Sequence, residues 1–246
     1  MKLSGKAGEK KEKRQKMRIL AIGAHPDDIE IFCYGFLAAC KARGDEISLA
    51  VATDGAAGTV AGQDDGLAAK RAAETTAALA KLGRPDLLGL PDGALATAAN
   101  GREVISSHIR TIAPHLIVTH DPADYHSDHR ALSSWVSELA GFSCPVLYAD
   151  TLMGVGFQPE FYVDITVWQD EKQAAILAHD SQIPQRFANG AALLNRFRAA
   201  QCNAPEGHFA EAYRTSPRFP FADIRGLLPP PPPCRPFYVP GSEAFL

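Results

Sequence analysis

Two short runs of the chain concentrate side chains that bind metals and move protons. His25-Pro26-Asp27-Asp28 sets an imidazole and a carboxylate three residues apart, and His126-Ser127-Asp128-His129 sets two imidazoles at the same spacing. In a first helical turn, side chains at i and i+3 share a face, so each pair can reach one point. Imidazole nitrogen and carboxylate oxygen suit zinc, and catalytic zinc sites use three protein ligands with a fourth position left to water. Together the runs offer enough donors for three ligands and two helpers. Taken singly, each has a plainer reading: histidines at helix starts cap or stay solvated, and Asp27 and Asp28 could cap a helix. Two such clusters in one chain favour the metal.

The elements between the runs must bring them together. Residues 18–23 read as a buried parallel strand, and Ile29 to Ala42 as a helix ended by Gly44. A strand over Ile47 to Thr53 follows, then a loop with Gly55, Gly58 and Gly62, a helix from about Asp64 to Leu82, and a short strand, Leu87 to Leu90, stopped by Pro91-Asp92-Gly93. A helix over about Arg102 to Ile112 leads to a strand ending at His120, an Asp- and His-rich loop, and a helix over about Asp128 to Leu139. Strands at Val146 to Ala149 and Tyr162 to Ile165 and helices over about Trp168 to Ala178 and Phe187 to Ala200 complete the pattern. Such alternation predicts an α/β fold, a Rossmann-like three-layer sandwich with a mostly parallel central sheet. With strand order 3-2-1-4-5, the ligand crevice falls between strands one and four, which end at His25 and His120.

Composition narrows the class. With 246 residues and 46% apolar content, residues 17–246 are expected to form a single domain, preceded by a flexible charged arm over 1–16 and carrying a proline-rich tail, Pro229 to Pro233, in polyproline II conformation outside the core. A net charge of −3 argues against nucleic acid or anionic lipid as partner. No apolar run is long enough for a membrane span. The five cysteines show no CxxC pair and read as core residues of a protein from a reducing compartment, here expected to be the cytoplasm. A homo-oligomer is compatible with this composition. The first strand is followed by Gly23-Ala24-His25-Pro26 rather than GxGxxG, which argues against dinucleotide binding.

The run Ala24-His25-Pro26-Asp27-Asp28, followed about a hundred residues later by His126-Ser127-Asp128-His129, resembles the two hallmark motifs of the PIG-L/LmbE-like de-N-acetylases. The resemblance covers roughly residues 18 to 215. It takes in Thr53-Asp54-Gly55, the Arg71/Glu74 helix, the Asp92 turn, Tyr162 to Ile165 with Lys172 and Ser181-Gln182, and Glu211 to Arg214. Ser127 stands where proline is usual, and Ala56 where the pocket loop often carries an acid.

The resemblance implies hydrolysis of the acetamido group of a glucosamine derivative, so the expected partner is a small amino-sugar substrate. It implies zinc, or iron in the cell, held by His25, Asp28 and His129, with Asp27 as general base and His126 as electrophile or acid. Asp128 would orient the His126 imidazole, and Arg71, Asp92 and Asp54 are candidates for substrate contact. Their plainer readings are an ion pair on a helix face for Arg71 and turn residues for the two aspartates. His108, His115, His120, His179 and His208 read as structural. An amidase acting on a thiol conjugate is the alternative that the same metal site would serve.

Overall fold

The computed structural model describes residues 15–58 and 66–237. Residues 1–14 of the arm expected over 1–16, and Gly62 and Asp64 with the rest of 59–65, lie outside the described residues.

Buried apolar runs form the centre of the sheet. Strands β1 (Arg18–Gly23), β2 (Glu46–Thr53), β3 (Asp86–Leu90), β4 (Leu116–Thr119) and β5 (Val146–Ala149) pair in parallel in the order β3-β2-β1-β4-β5. Beyond β5 lie β7 (Ala210–Thr215) and then β6 (Phe161–Asp164); β7 is antiparallel to both neighbours. The expected order holds and gains two strands at one edge. Side chains alternate along β1: Ile19 and Ala21 pack into one core layer, Leu20 and Ile22 into the other. The first layer is closed by α1 (Asp28–Phe32), α2 (Tyr34–Ala42), α3 (Leu67–Ala78), α6 (Gln169–Leu177) and α7 (Pro184–Gln201), the second by α4 (Gly101–Ile112) and α5 (Ser127–Ala140). This is the Rossmann-like sandwich with helices on both faces.

Strand β7 is absent from the sequence expectations because its polar residues disguise it. Within Ala210-Glu211-Ala212-Tyr213-Arg214-Thr215, Glu211 is buried, and its carboxylate accepts from the Lys172 ammonium at 2.7 Å and the Tyr213 hydroxyl at 2.7 Å. It also accepts from the backbone N–H groups of Gly35 and Phe36 at 2.9 and 2.7 Å, the first turn of α2. This distant cap corrects the single helix expected over Ile29 to Ala42. The chain breaks at Cys33 (φ −147°, ψ 13°), where α2 starts afresh against Glu211. The proline run is likewise closer to the fold than expected: Pro229 and Pro232 are buried, and the Pro230 carbonyl accepts from the Asp164 N–H at 3.0 Å, covering the edge of β6.

Candidate metal centre and active site

Chain reversal at the switch point brings the two motifs face to face. His25 to Asp28 leave the carboxyl end of β1, while His120 to His129 leave the adjacent end of β4. His25 Nδ1 lies 3.1 Å from His129 Nε2 and 3.3 Å from Asp28 Oδ2, and His129 Nε2 lies 3.3 Å from Asp28 Oδ1. A tetrahedral ion with bonds of about 2.0–2.1 Å needs donors about 3.3–3.4 Å apart. The three side chains therefore stand within reach of one zinc-type ion, with Asp28 turning a different oxygen to each imidazole. Each imidazole turns its other nitrogen to carboxylates: His25 Nε2 is 3.2 Å from Asp92 and 3.4 Å from Asp128, and His129 Nδ1 is 3.1 Å from Asp124. Carboxylates behind the ring are the usual way to fix a ligating histidine.

The electrostatics carry the same message. Burial would lower the pKa of His25, yet Asp128, Asp28 and Asp92 push it up to about 12. His129 is pushed up to about 9 by Asp28 and Asp124 against the same burial cost. Asp28, although buried, is held well below the usual carboxylate range by His129 and His120. Carboxylates and imidazoles packed this closely favour positive charge between them, as protons or as a cation.

Asp27 behaves differently. Burial and the adjacent Asp28 charge raise its carboxyl to about 7, partly offset by Arg71. Its backbone adopts φ 126°, ψ −20°, a region that L residues rarely occupy and that marks functional sites when the surroundings enforce it. The enforcement is visible. Asp28 N–H donates to the His25 carbonyl at 3.2 Å, His25 N–H donates to the Asp28 carboxylate at 2.6 Å, and the Arg71 guanidinium donates to the Pro26 carbonyl at 2.6 Å and to the Gly55 carbonyl at 3.1 Å.

His126 caps α5, its Nδ1 accepting from the Asp128 N–H at 3.2 Å. That bond occupies Nδ1 as an acceptor, so in the neutral ring the proton sits on Nε2. Burial, with His25 and His129 nearby, lowers the His126 pKa and favours the neutral ring.

The other expected site residues take particular places around this cluster. The Asp128 carboxylate accepts from the backbone of Gly93 (2.8 Å) and Leu95 (3.2 Å) and lies 3.4 Å from His25 Nε2, so it stands behind His25 rather than behind His126. Arg71 is buried and committed to the loops around Asp27; it lines the cavity as a brace rather than as a free clamp. Asp92 also lines the cavity, with its oxygens near His25 and bonded to the Ala57 N–H at 2.9 Å. Asp54 closes a turn by accepting from Ala56 N–H at 3.0 Å and is not among the residues lining the cavity.

Two residues of the site were missed. His120, read as structural, accepts from Ala24 N–H at 2.9 Å, lies 3.1 Å from Asp28 and stacks on His129 with centroids 3.7 Å apart. Its place at the end of β4 was the available signal. Asp124 supports both histidines of the second motif, accepting from His126 N–H at 2.8 Å as well as facing His129. Nothing in its spacing separated it from other loop aspartates. A cavity of about 240 Å³ opens above the cluster, walled by His25, Asp27, Asp28, Arg71, His126 and His129 and by the apolar Ile31, Leu152 and Phe187.

A donor triangle, a strained carboxylate beside it and an imidazole N–H at one cavity form an arrangement suited to metal-assisted hydrolysis. Residues 20–140 match the family model described as "PIG-L: GlcNAc-PI de-N-acetylase", and with the deacetylases among its relatives this match supports a PIG-L/LmbE-like de-N-acetylase. It is 28% identical over 189 residues to the diacetylchitobiose deacetylase of Thermococcus kodakarensis, covering 68% of this chain and 71% of that protein. It is 33% identical over 164 residues to the 1D-myo-inositol 2-acetamido-2-deoxy-alpha-D-glucopyranoside deacetylase of Mycolicibacterium gilvum, covering 53% of this chain but only 58% of that one. Among solved structures, N,N'-diacetylchitobiose deacetylase from Pyrococcus horikoshii superposes with TM-score 0.68 at 23% identity, over 83% of this chain and 87% of that one. The 4-carboxy-2-hydroxymuconate hydratase GalB of Pseudomonas putida superposes with TM-score 0.70 at 20% identity, over 83% and 98%. At these identities the structures share the fold, which carries more than one chemistry.

Proposed function

We propose that the protein is a metal-dependent N-deacetylase that hydrolyses the acetamido group of an N-acetylglucosamine-containing small molecule or glycoconjugate. The observation that carries this reading is the donor triangle of His25, Asp28 and His129 with Asp27 held beside it by a strained backbone. His25, Asp28 and His129 would hold a zinc ion, or iron in the cell, which when bound would supply Lewis acidity toward water and the amide carbonyl. Asp27, raised to about 7, is matched to taking a proton from the attacking water and passing one to the departing amine. Its neighbour Asp28 is spent on the ion, so the two carboxylates divide the work.

His126 presents Nε2–H to the oxygen that gains charge as the carbonyl becomes tetrahedral, a contribution of about 3–4 kcal/mol for one preorganised donor. Asp128 and Asp92 hold His25, Asp124 holds His129, and Arg71 holds the Pro26-Asp27 turn. Ile31, Leu152 and Phe187 give the cavity an apolar wall. We place its action in the reducing cytoplasm, which the scattered cysteines without a CxxC pair support, and no helix among the described residues is long and apolar enough to cross a membrane.

The test is primary-amine and acetate release from N-acetylglucosamine glycosides, before chelation, after it and after zinc is restored. Release that disappears with the chelator and returns with zinc is the expected result. Release from none of the glycosides by protein holding one metal per chain would overturn the reading and bring forward amide hydrolysis on a thiol conjugate.

A further inference from the structure

The cavity above the histidine cluster continues outward. Tyr125, Leu152 and Phe187 wall it and also bound a second, open depression of about 380 Å³, completed by Met153, Arg186 and Gly190. The two spaces therefore adjoin along Tyr125, Leu152 and Phe187, so the part of a ligand that extends past the cluster on this side meets the depression.

Two segments build it. In the 3-10 turn Leu152–Gly154, Met153 takes φ 57°, ψ 20°, a left-handed conformation that an L side chain keeps only when its surroundings fix it. Here the Gly154 N–H donates to the Thr151 carbonyl at 2.9 Å, and the Thr151 hydroxyl donates to the Val155 carbonyl at 2.7 Å. The turn thus holds the Met153 thioether half-exposed at the rim instead of in the core. Across from it, in the first turns of α7, the Arg186 guanidinium lies 4.6 Å from the centroid of the Phe187 ring. Among the described residues, Arg186 has no carboxylate partner. Gly190 keeps the depression open, since a Cβ there would already stand 3.3 Å from the Met153 sulfur.

Each group points to the same kind of ligand. Tyr125 and Phe187 bring aromatic surface that suits a flat apolar group, the thioether adapts to its outline, and a guanidinium set over the Phe187 ring recognises an anion through a planar fork.

We propose that this depression is a second substrate subsite: with the acetamido group over the metal centre, it takes the part of the substrate beyond the acetylated sugar and selects a flat apolar group bearing an anion that pairs with Arg186. This rests on the N-deacetylase reading and adds the substrate class to it.

Three β-glycosides of N-acetylglucosamine, methyl, phenyl and 4-carboxyphenyl, test it with the full metal-loaded chain. Their kcat/KM values are measured, and their Kd values are measured separately by calorimetry on the Asp27→Asn protein, where binding is read without turnover. Both readouts are expected to improve in the order methyl, phenyl, 4-carboxyphenyl, by about tenfold overall, with about threefold from the carboxylate as for a partly exposed ion pair. Arg186→Gln should remove the carboxylate step alone. Gly190→Leu, which fills the depression, should remove both steps, with methyl glycoside turnover and the melting temperature close to wild type. Equal values for the three glycosides in the wild type, or a preference that survives both substitutions, would overturn the proposal. If no glycoside releases amine, the deacetylase reading falls by itself; the Kd order then still decides the subsite, and an absent order or absent binding rejects it.

Discussion

The backbone of Asp27 offers a test of whether the motif stores strain to place a carboxylate. At φ 126°, ψ −20° a residue with a Cβ costs about 1–3 kcal/mol, whereas glycine does not. Asp27→Ala and Asp27→Gly both lose the carboxylate and its 3.4 Å contact with Arg71, so those losses cancel between the two proteins. Glycine also gives the unfolded chain more freedom, which ordinarily makes it about 0.5–1 kcal/mol worse than alanine. Subtracting the second effect from the first leaves Asp27→Gly more stable than Asp27→Ala by about 1 kcal/mol from the middle of each range and by up to about 2.5 kcal/mol, the reverse of the ordinary order. Urea unfolding of both proteins in chelator reads this difference from the midpoints, provided the slopes agree. In thermal melts, 1 kcal/mol corresponds to about 2–4 °C for a chain of this size. Neither variant should release acetate. An Asp27→Ala protein as stable as Asp27→Gly, or more so, would refute the strain argument.

Metal binding should be pH-dependent with a definite sign. Asp28 and Asp124 raise His129 to about 9 against the lowering effect of burial, while the unfolded imidazole titrates near 6.5. The stability this proton gives the metal-free fold is therefore full below about pH 6.5 and is lost as pH rises through about 9. Zinc must displace the same proton, so its apparent affinity should rise at least about tenfold per pH unit over that window in a chelator competition; a flat profile would count against this ligand. Replacing Glu211 by Ala strips Lys172 of its buried partner and α2 of its cap, and should cost about 3–5 kcal/mol in urea unfolding. A loss below about 1 kcal/mol would show that the distant cap does not hold α2. His126→Ala should keep the bound metal and lower kcat about 10²- to 10³-fold with little change in KM, and an unchanged kcat would remove His126 from the reaction.

The sheet was legible because β1, the second half of β2 from Leu49, β4 and β5 are buried and read as nearly continuous apolar runs, and because the strand order places His25 and His129 at one edge. What stayed hidden depends on partners far away in sequence. Glu211 is separated by 176 residues from the Gly35 amide it caps, so neither the break at Cys33 nor the strand β7 carries a local signal. Asp128 looked like a partner for His126 because the two are neighbours in the chain. The helix start turns its carboxylate instead toward Gly93, Leu95 and His25. Arg71 resembled a surface helix residue, yet it braces the Pro26 carbonyl across 45 residues. Local spacing gave the donors, and tertiary contacts decided which carboxylate stands behind which ring.

The central claim is that Asp28 binds the metal while Asp27, its neighbour, moves the proton. Asp27→Asn, loaded with zinc and assayed for both metal content and acetate release on an N-acetylglucosamine glycoside, tests it directly. One metal per chain with acetate release lowered about 10²- to 10⁴-fold is the predicted result. Release at the wild-type rate, or loss of the metal together with activity, would contradict that division of labour.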